Sequence, residues 1–182
     1  GMQLFVISNT HTPEKILPKS KEISIRLIVI YSSLTLVCAF FYKIFGMSIF
    51  DSIVHSMTTI ATGGFSNYNE SIGYFDNGFI ELTATIFIIL GSVPFIAYIK
   101  YLGGDKKIFI SDTQIKTFIK ILIFSIFIIF VYLSVKNQSI FEINFREVSF
   151  NVVSILTGTG YVTNDFSKWG QFPLIYFLIL MF

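Results

Sequence analysis

"TTIATGGFSNYNE" (Thr58 to Glu70) and "SILTGTGYVTND" (Ser154 to Asp165) lie 96 residues apart, and their reading decides the fold. Each sets glycines and hydroxyls directly after an apolar run of helical spacing, and each precedes another apolar segment. Laid over one another without gaps, "DSIVHSMTTIATGGFSNYN" and "EVSFNVVSILTGTGYVTND" pair Ala61 with Thr157, Gly64 with Gly160, Phe65 with Tyr161 and Asn69 with Asp165. A unit of span, short helix, glycine loop and span therefore occurs twice. Both copies run in the same direction, so the expected relation is an axis along a membrane normal.

The surroundings of the two stretches point to a bilayer. The chain is 53% hydrophobic and 13% charged, with 22 Phe and a mean hydropathy of +0.72. Soluble domains average about 25% charged residues. The fold class expected is all-α integral membrane. Residues 25–45 form a first span, with Lys43 near its end where it can snorkel to the interface. Residues 79–102 form a second, interrupted by "GSVP" at Gly91 to Pro94, where Gly91 and Pro94 kink the helix. Residues 115–135 form a third. The apolar run at 172–182 covers roughly 16 Å as a helix against a hydrocarbon core of about 30 Å. A fourth span cut short is expected there, in a natural protein that continues. The start "GMQLFVISNT" has no charged region and no cleavage site of a signal peptide.

Between spans, 49–60 carries Ile49, Ile53, Met57 and Ile60 at helical spacing, and 145–156 repeats this with Phe145, Val148, Val152 and Ile155 or Leu156. Runs of about 12 residues are too short to cross and suit re-entrant segments. Lys15, Lys19, Lys21, Arg26, Lys100, Lys106, Lys107, Lys116 and Lys120 are nine of the thirteen basic residues, all on one side in this topology. That side, residues 1–24 as a linker and 103–114 as a connection, is expected to be cytoplasmic. The units then cover 25–102 and 115–182, with loops 61–66 and 157–162 entered from outside. Glu81 and Arg26 sit near segment ends, where a charge costs least.

Irregular backbone at membrane depth needs partners for its polar groups. A cation supplies one for carbonyls, which replace its hydration shell. Extended peptide with carbonyls turned to one side demands dihedrals that glycine adopts without a Cβ penalty. A short helix pointing its C-terminus at the loop adds roughly half a negative charge. The expected ion-binding carbonyls are those of Ala61, Thr62, Gly63 and Gly64, and of Thr157, Gly158, Thr159 and Gly160. Hydroxyls of Thr62, Thr157 and Thr159 add to them. Phe65 and Tyr161 follow as packing that holds the loops open. Asn69, Glu70 and Asp165 stand at an outer mouth, where negative charge concentrates cations. The plainer alternative is that the glycines only end helices as left-handed caps.

The stretches "GMQLF", "LTLVCAF", "HSMTTIATGGFSNYNESIGYF" and "SILTGTGYVTNDFSKWGQFP" closely resemble the membrane subunit of Trk-type bacterial potassium uptake systems, in the Trk/Ktr/HKT superfamily. The resemblance covers nearly the whole chain. It implies four such units around one pore, of which this chain is the second and most of the third, and potassium uptake through the bacterial inner membrane. Gly64 and Gly160 match the filter glycines, one per loop. Potassium is then a substrate and no cofactor is expected. The implied partners are the remaining pore units of the same polypeptide, the lipid bilayer, a second copy in a homodimer, and a TrkA-like cytosolic nucleotide-binding regulatory subunit docking near "KYLGGDKKIFISDTQIK". No nucleic acid is expected. A sodium/potassium symporter of the same superfamily and a non-conducting membrane scaffold remain the alternatives.

The remaining residues carry plainer expectations. His55 reads as a hydrogen-bonded packing residue without metal-binding partners at suitable spacing. Cys38 reads as a small packing residue. Trp169, Tyr161 and Tyr176 read as interfacial aromatics. No Ser/His/Asp set, HExxH or phosphate loop is present, so no enzymatic chemistry is expected.

Overall fold

A computed structural model describes residues 16–136 and 145–181, with side chains from Lys21 onward. Most of the expected linker 1–24, residues 137–144 and Phe182 lie outside the described residues. The described residues are helical and hold no strand. In order they form α1 (Ile16–Ile44), α2 (Ile49–Ile60), α3 (Gly78–Ser92), α4 (Phe95–Leu102), α5 (Ile108–Ser111), α6 (Thr113–Lys136), α7 (Phe145–Leu156) and α8 (Gln171–Leu180). Short 3-10 helices at Ser71–Phe75 and Phe166–Trp169 follow the two glycine loops.

α1 and α6 are long and apolar enough to cross a bilayer, over Lys21–Ile44 and Thr113–Lys136. At 24 residues each they reach about 36 Å. α1 stops at Gly46, whose φ of +109° lets the Gly46 and Met47 amides turn back to the Lys43 and Tyr42 carbonyls. This is a Schellman closure. Ser48 then caps α2, its hydroxyl accepting from the Asp51 amide at 3.0 Å. Asn77 caps α3 through Phe79 N–H and donates its amide to the Phe45 carbonyl at 2.9 Å, tying α3 to the end of α1.

The second span breaks more sharply than a kink. α3 and α4 meet at 81°. Val93, which precedes Pro94, is extended (φ −71°, ψ 135°), as the proline ring requires of its predecessor. Leu90 O has no α-helical amide to accept, because position 94 is proline, and takes the Val93 amide at 3.3 Å and Tyr98 Oη at 2.6 Å instead. α3 alone, at 15 residues, reaches roughly 22 Å. Gly91 serves a different purpose from the expected kink: a Cβ there would stand 2.6 Å from the Ile60 carbonyl. It lets α3 lie directly on the end of α2.

Small residues hold the helices close, as association within lipid requires. Cys38 of α1 and Ala84 of α3 are fully buried, in one cluster with Tyr42, Ile60, Ile88 and Phe150. A second cluster joins α6, α7 and α8 through Ile129, Leu133, Val152 and Phe177.

One expectation needs correction, and the facing of α2 is a finding the pattern did not address. The apolar stripe of α2 exists, but Ile49, Phe50, Ile53 and Met57 face outward. Its buried face holds Asp51, Ser52, His55, Ser56 and Thr59, where Thr59 pairs with Tyr42 of α1 and Asp51 and His55 meet the Ser66, Asn67 and Tyr68 side chains of the following loop. Glu81 is buried rather than set where a charge is cheap. Its cost is met by Arg146 of α7, whose Nε stands 2.7 Å from Oε2, though without hydrogen-bond alignment. Arg26 is exposed and pairs with Glu22 one turn away.

Candidate functional site

Both short helices end on a left-handed residue at matched positions, Thr62 (φ 47°) and Gly158 (φ 71°). In the first, the Thr62 and Gly63 amides return to the Thr59 and Thr58 carbonyls at 3.1 and 2.8 Å. In the second, the Gly158 amide returns to Ile155 O at 3.0 Å and the Gly160 amide to Ser154 O at 3.2 Å. Helix capping is thus performed at positions 62 and 158. The glycine common to both loops lies two residues further on, again left-handed: Gly64 at φ 65° and Gly160 at φ 83°. Capping does not account for that second turn.

The same side-chain straps hold each loop. Thr58 Oγ1 donates to Phe65 O at 3.0 Å, and Ser154 Oγ to Tyr161 O at 2.7 Å. Tyr68 Oη donates to the Asp51 carboxylate at 3.1 Å, and Asn164 Nδ2 to the Glu147 carboxylate at 2.9 Å. His55 Nδ1 bonds the Asp51 carbonyl at 2.9 Å, and Asn151 Nδ2 the Glu147 carbonyl at the same distance. With its proton on Nδ1, His55 accepts from Ser66 Oγ through Nε2 at 3.0 Å. Each pair stands 96 residues from its counterpart. These strap residues were missed as functional residues. The signal was available: the ungapped overlay sets acid on acid at 51 and 147, and hydroxyl on hydroxyl at 58 and 154.

Strapping from behind leaves the loop carbonyls unengaged. Among the described residues, no protein donor reaches the carbonyls of Thr62, Gly63, Gly64, Thr157, Gly158, Thr159 or Gly160. Ala61 O accepts from Thr62 Oγ1 at 2.8 Å. Thr157 Oγ1 donates back to Val153 O at 2.8 Å and lies 2.7 Å from Thr159 Oγ1. The hydroxyl protons of Thr62 and Thr157 are therefore committed to backbone carbonyls of their own loop and helix, and Thr159 is buried against Thr157. The C-termini of α2 and α7 add partial negative charge at Ala61 and Thr157.

The two loops touch. A Cβ placed on Gly64 would overlap the Thr159 carbonyl, whereas one on Gly160 meets nothing within 4 Å. Further out, Gly73 N–H donates to Val162 O at 3.1 Å and Val162 N–H to Ser71 Oγ at 3.2 Å. Gly64, Gly160, Asn69, Glu70 and Asp165 line one cavity of about 800 Å³. Ala61, Thr62, Gly63, Thr157, Gly158 and Thr159 do not line it. The two aromatics part company: Tyr161 is buried at 1% exposure and so is no interfacial residue, while Phe65 is 75% exposed.

At the cavity rim, the Ser167 hydroxyl and amide donate to Asp165 and hold its carboxyl below the usual aspartate range. The charge therefore persists to lower pH than on an aspartate without these donors. Asp165→Asn in the full-length protein is expected to weaken apparent cation affinity two- to threefold at low ionic strength and not at about 1 M salt, where the Debye length shrinks to about 3 Å. Uptake measured against salt concentration checks this.

Comparison with known proteins agrees with this architecture. A family model described as a cation transport protein, TrkH, matches residues 8–182. The Trk system potassium uptake protein TrkI of Halomonas elongata is 33% identical over 183 residues, taking in 100% of this chain and 37% of that protein. TrkH of Escherichia coli is 32% identical over 178 residues, 94% of this chain and 36% of that one. The crystal structure of the potassium transporter TrkH from Vibrio parahaemolyticus superposes with a TM-score of 0.81 at 31% identity, covering 93% of this chain and 36% of that one. The chain thus spans little more than a third of the length of the relatives it matches. With a described architecture wholly helical and the family model running over nearly its full length, the chain belongs to the TrkH family of membrane cation transport proteins.

Proposed function

We propose that this chain supplies two neighbouring units of a pore through which potassium enters a bacterial cell across the inner membrane. The units are 25–102 and 115–182, with α2 and α7 as pore helices and 61–66 and 157–162 as filter loops. The observation that carries this reading is the set of seven loop carbonyls without a protein donor, on two touching loops beside an acid-rimmed cavity. Such carbonyls stand in for the water around a monovalent cation. Potassium is the ion named for the relatives.

Further units are needed to close the ring, and unequal burial supports where one would sit. Met57 is 51% exposed, whereas Val153 at the matched position is 1% exposed and packs in the core with α3. Phe65 and Tyr161 differ in the same sense. A unit beside α2, as α3 lies beside α7, would cover Met57 and Phe65. On the opposite side, the exposed Lys106 and Lys107 at the connection 103–114 suit a cytoplasmic face and a regulatory subunit docked there.

The experiment is rubidium uptake by the full-length protein in cells lacking other potassium uptake. Gly160→Ser is expected to abolish uptake or admit sodium at normal protein amount. Unchanged rubidium flux refutes the pore reading.

A further inference from the structure

We propose that Tyr161 is a positioning residue of this pathway: a strut from the second glycine loop whose hydroxyl holds the first loop in place and thereby sharpens the choice of potassium over sodium. The proposal rests on the pore reading above.

Tyr161 leaves the second loop, yet its side chain lies beneath the first. Its ring is stacked 6.3 Å from that of His55. Its hydroxyl meets Thr58 Oγ1 and lies 3.2 Å from His55 O and 3.4 Å from Phe65 O. Phe65 directly follows Gly64 and its carbonyl accepts from Thr58 Oγ1 at 3.0 Å, so a side chain of the second loop bears on the first through Thr58. The strut is fixed at its base as well, because Ser154 Oγ donates to the Tyr161 carbonyl at 2.7 Å. Behind it, Thr59 Oγ1 donates to His55 O at 2.6 Å and pairs with Tyr42 Oη of α1 at 2.8 Å. The buried tip thus stands on a hydrogen-bonded bed that includes a spanning helix.

An aromatic side chain with two rotatable bonds loses little entropy when held in this way. A loop pinned from behind resists closing around a smaller ion, and resistance of that kind separates ions that differ mainly in radius. The restraint is one-sided. Phe65, at the matched position of the first loop, has no hydroxyl and is exposed. The matched position of the first loop therefore offers no second strut.

The test compares Tyr161→Phe, Thr58→Val and the double variant in the full-length protein, reconstituted in vesicles. Potassium and sodium uptake, the KM for potassium and the melting temperature are read in parallel. Tyr161→Phe is expected to raise the sodium-to-potassium uptake ratio at least threefold and to raise the KM, with folded protein near the wild-type amount. Thr58→Val is expected to shift the ratio in the same direction, and the double variant no further than the larger single one. A ratio unchanged in both single variants, shifts that multiply in the double variant, or a loss confined to the amount of folded protein overturns the strut. Wild-type protein that moves no potassium overturns the pore reading instead.

Discussion

Gly64→Ala is expected to remove most of the folded full-length protein and, with it, at least nine-tenths of rubidium uptake, whereas Gly160→Ala leaves the protein amount near normal. Both positions are left-handed, which costs an L-residue roughly 1–2 kcal/mol. That cost is common to the two variants. The difference lies in what a methyl group meets. At Gly64 it overlaps the Thr159 carbonyl, part of a backbone that cannot swing aside, and at Gly160 it meets open space. Overpacking against backbone belongs to the small class of changes worth roughly 4 kcal/mol or more. Quantitative immunoblotting of membranes alongside uptake separates the two. Equal protein amounts for both variants would contradict the close contact of the loops.

Arg146→Met carries the second large effect, on stability. Glu81 is buried at 4% exposure and its carboxylate faces Arg146 across the α3–α7 contact. Removing the arginine strands that charge. Breaking a buried pair costs about 3–5 kcal/mol. The Arg146 side chain is 42% exposed, so the loss here is expected to be smaller, at about 2–3 kcal/mol. Glu81→Gln should cost less, since the freed guanidinium reaches solvent. Melting of the detergent-solubilised full-length variants checks the order. A more stable Arg146→Met protein would show that α3 and α7 are held by apolar packing alone.

The overlay at 96 residues located both glycine loops, both short helices and the helix ends on which the loops sit. It succeeded because backbone requirements, here left-handed turns after a helix, leave a residue signature. The left-handed cap was harder to read, since Thr62 occupies it in one copy and Gly158 in the other. "GSVP" announced a break, but the 81° angle depends on what α4 rests against. Periodicity found the apolar stripe of α2 and gave no indication that the polar face would be the buried one. In lipid, an outward apolar face is satisfied and an inward polar face needs partners. The partners are Tyr42 of α1 and side chains of the following loop, which a pattern of single residues does not display. Tyr161 reads as packing for its own loop, but the reach of its hydroxyl to the other copy, 96 residues away, is not legible for the same reason.

The most direct measurement is rubidium anomalous scattering from crystals of the full-length protein. Peaks against the main-chain oxygens of Thr62 to Gly64 and Thr157 to Gly160 are the expected result, since no donor among the described residues reaches those atoms. An empty map there, or those oxygens found bonded to amide donors of the same protein, would mean that the twin turns serve packing and that the ion travels elsewhere.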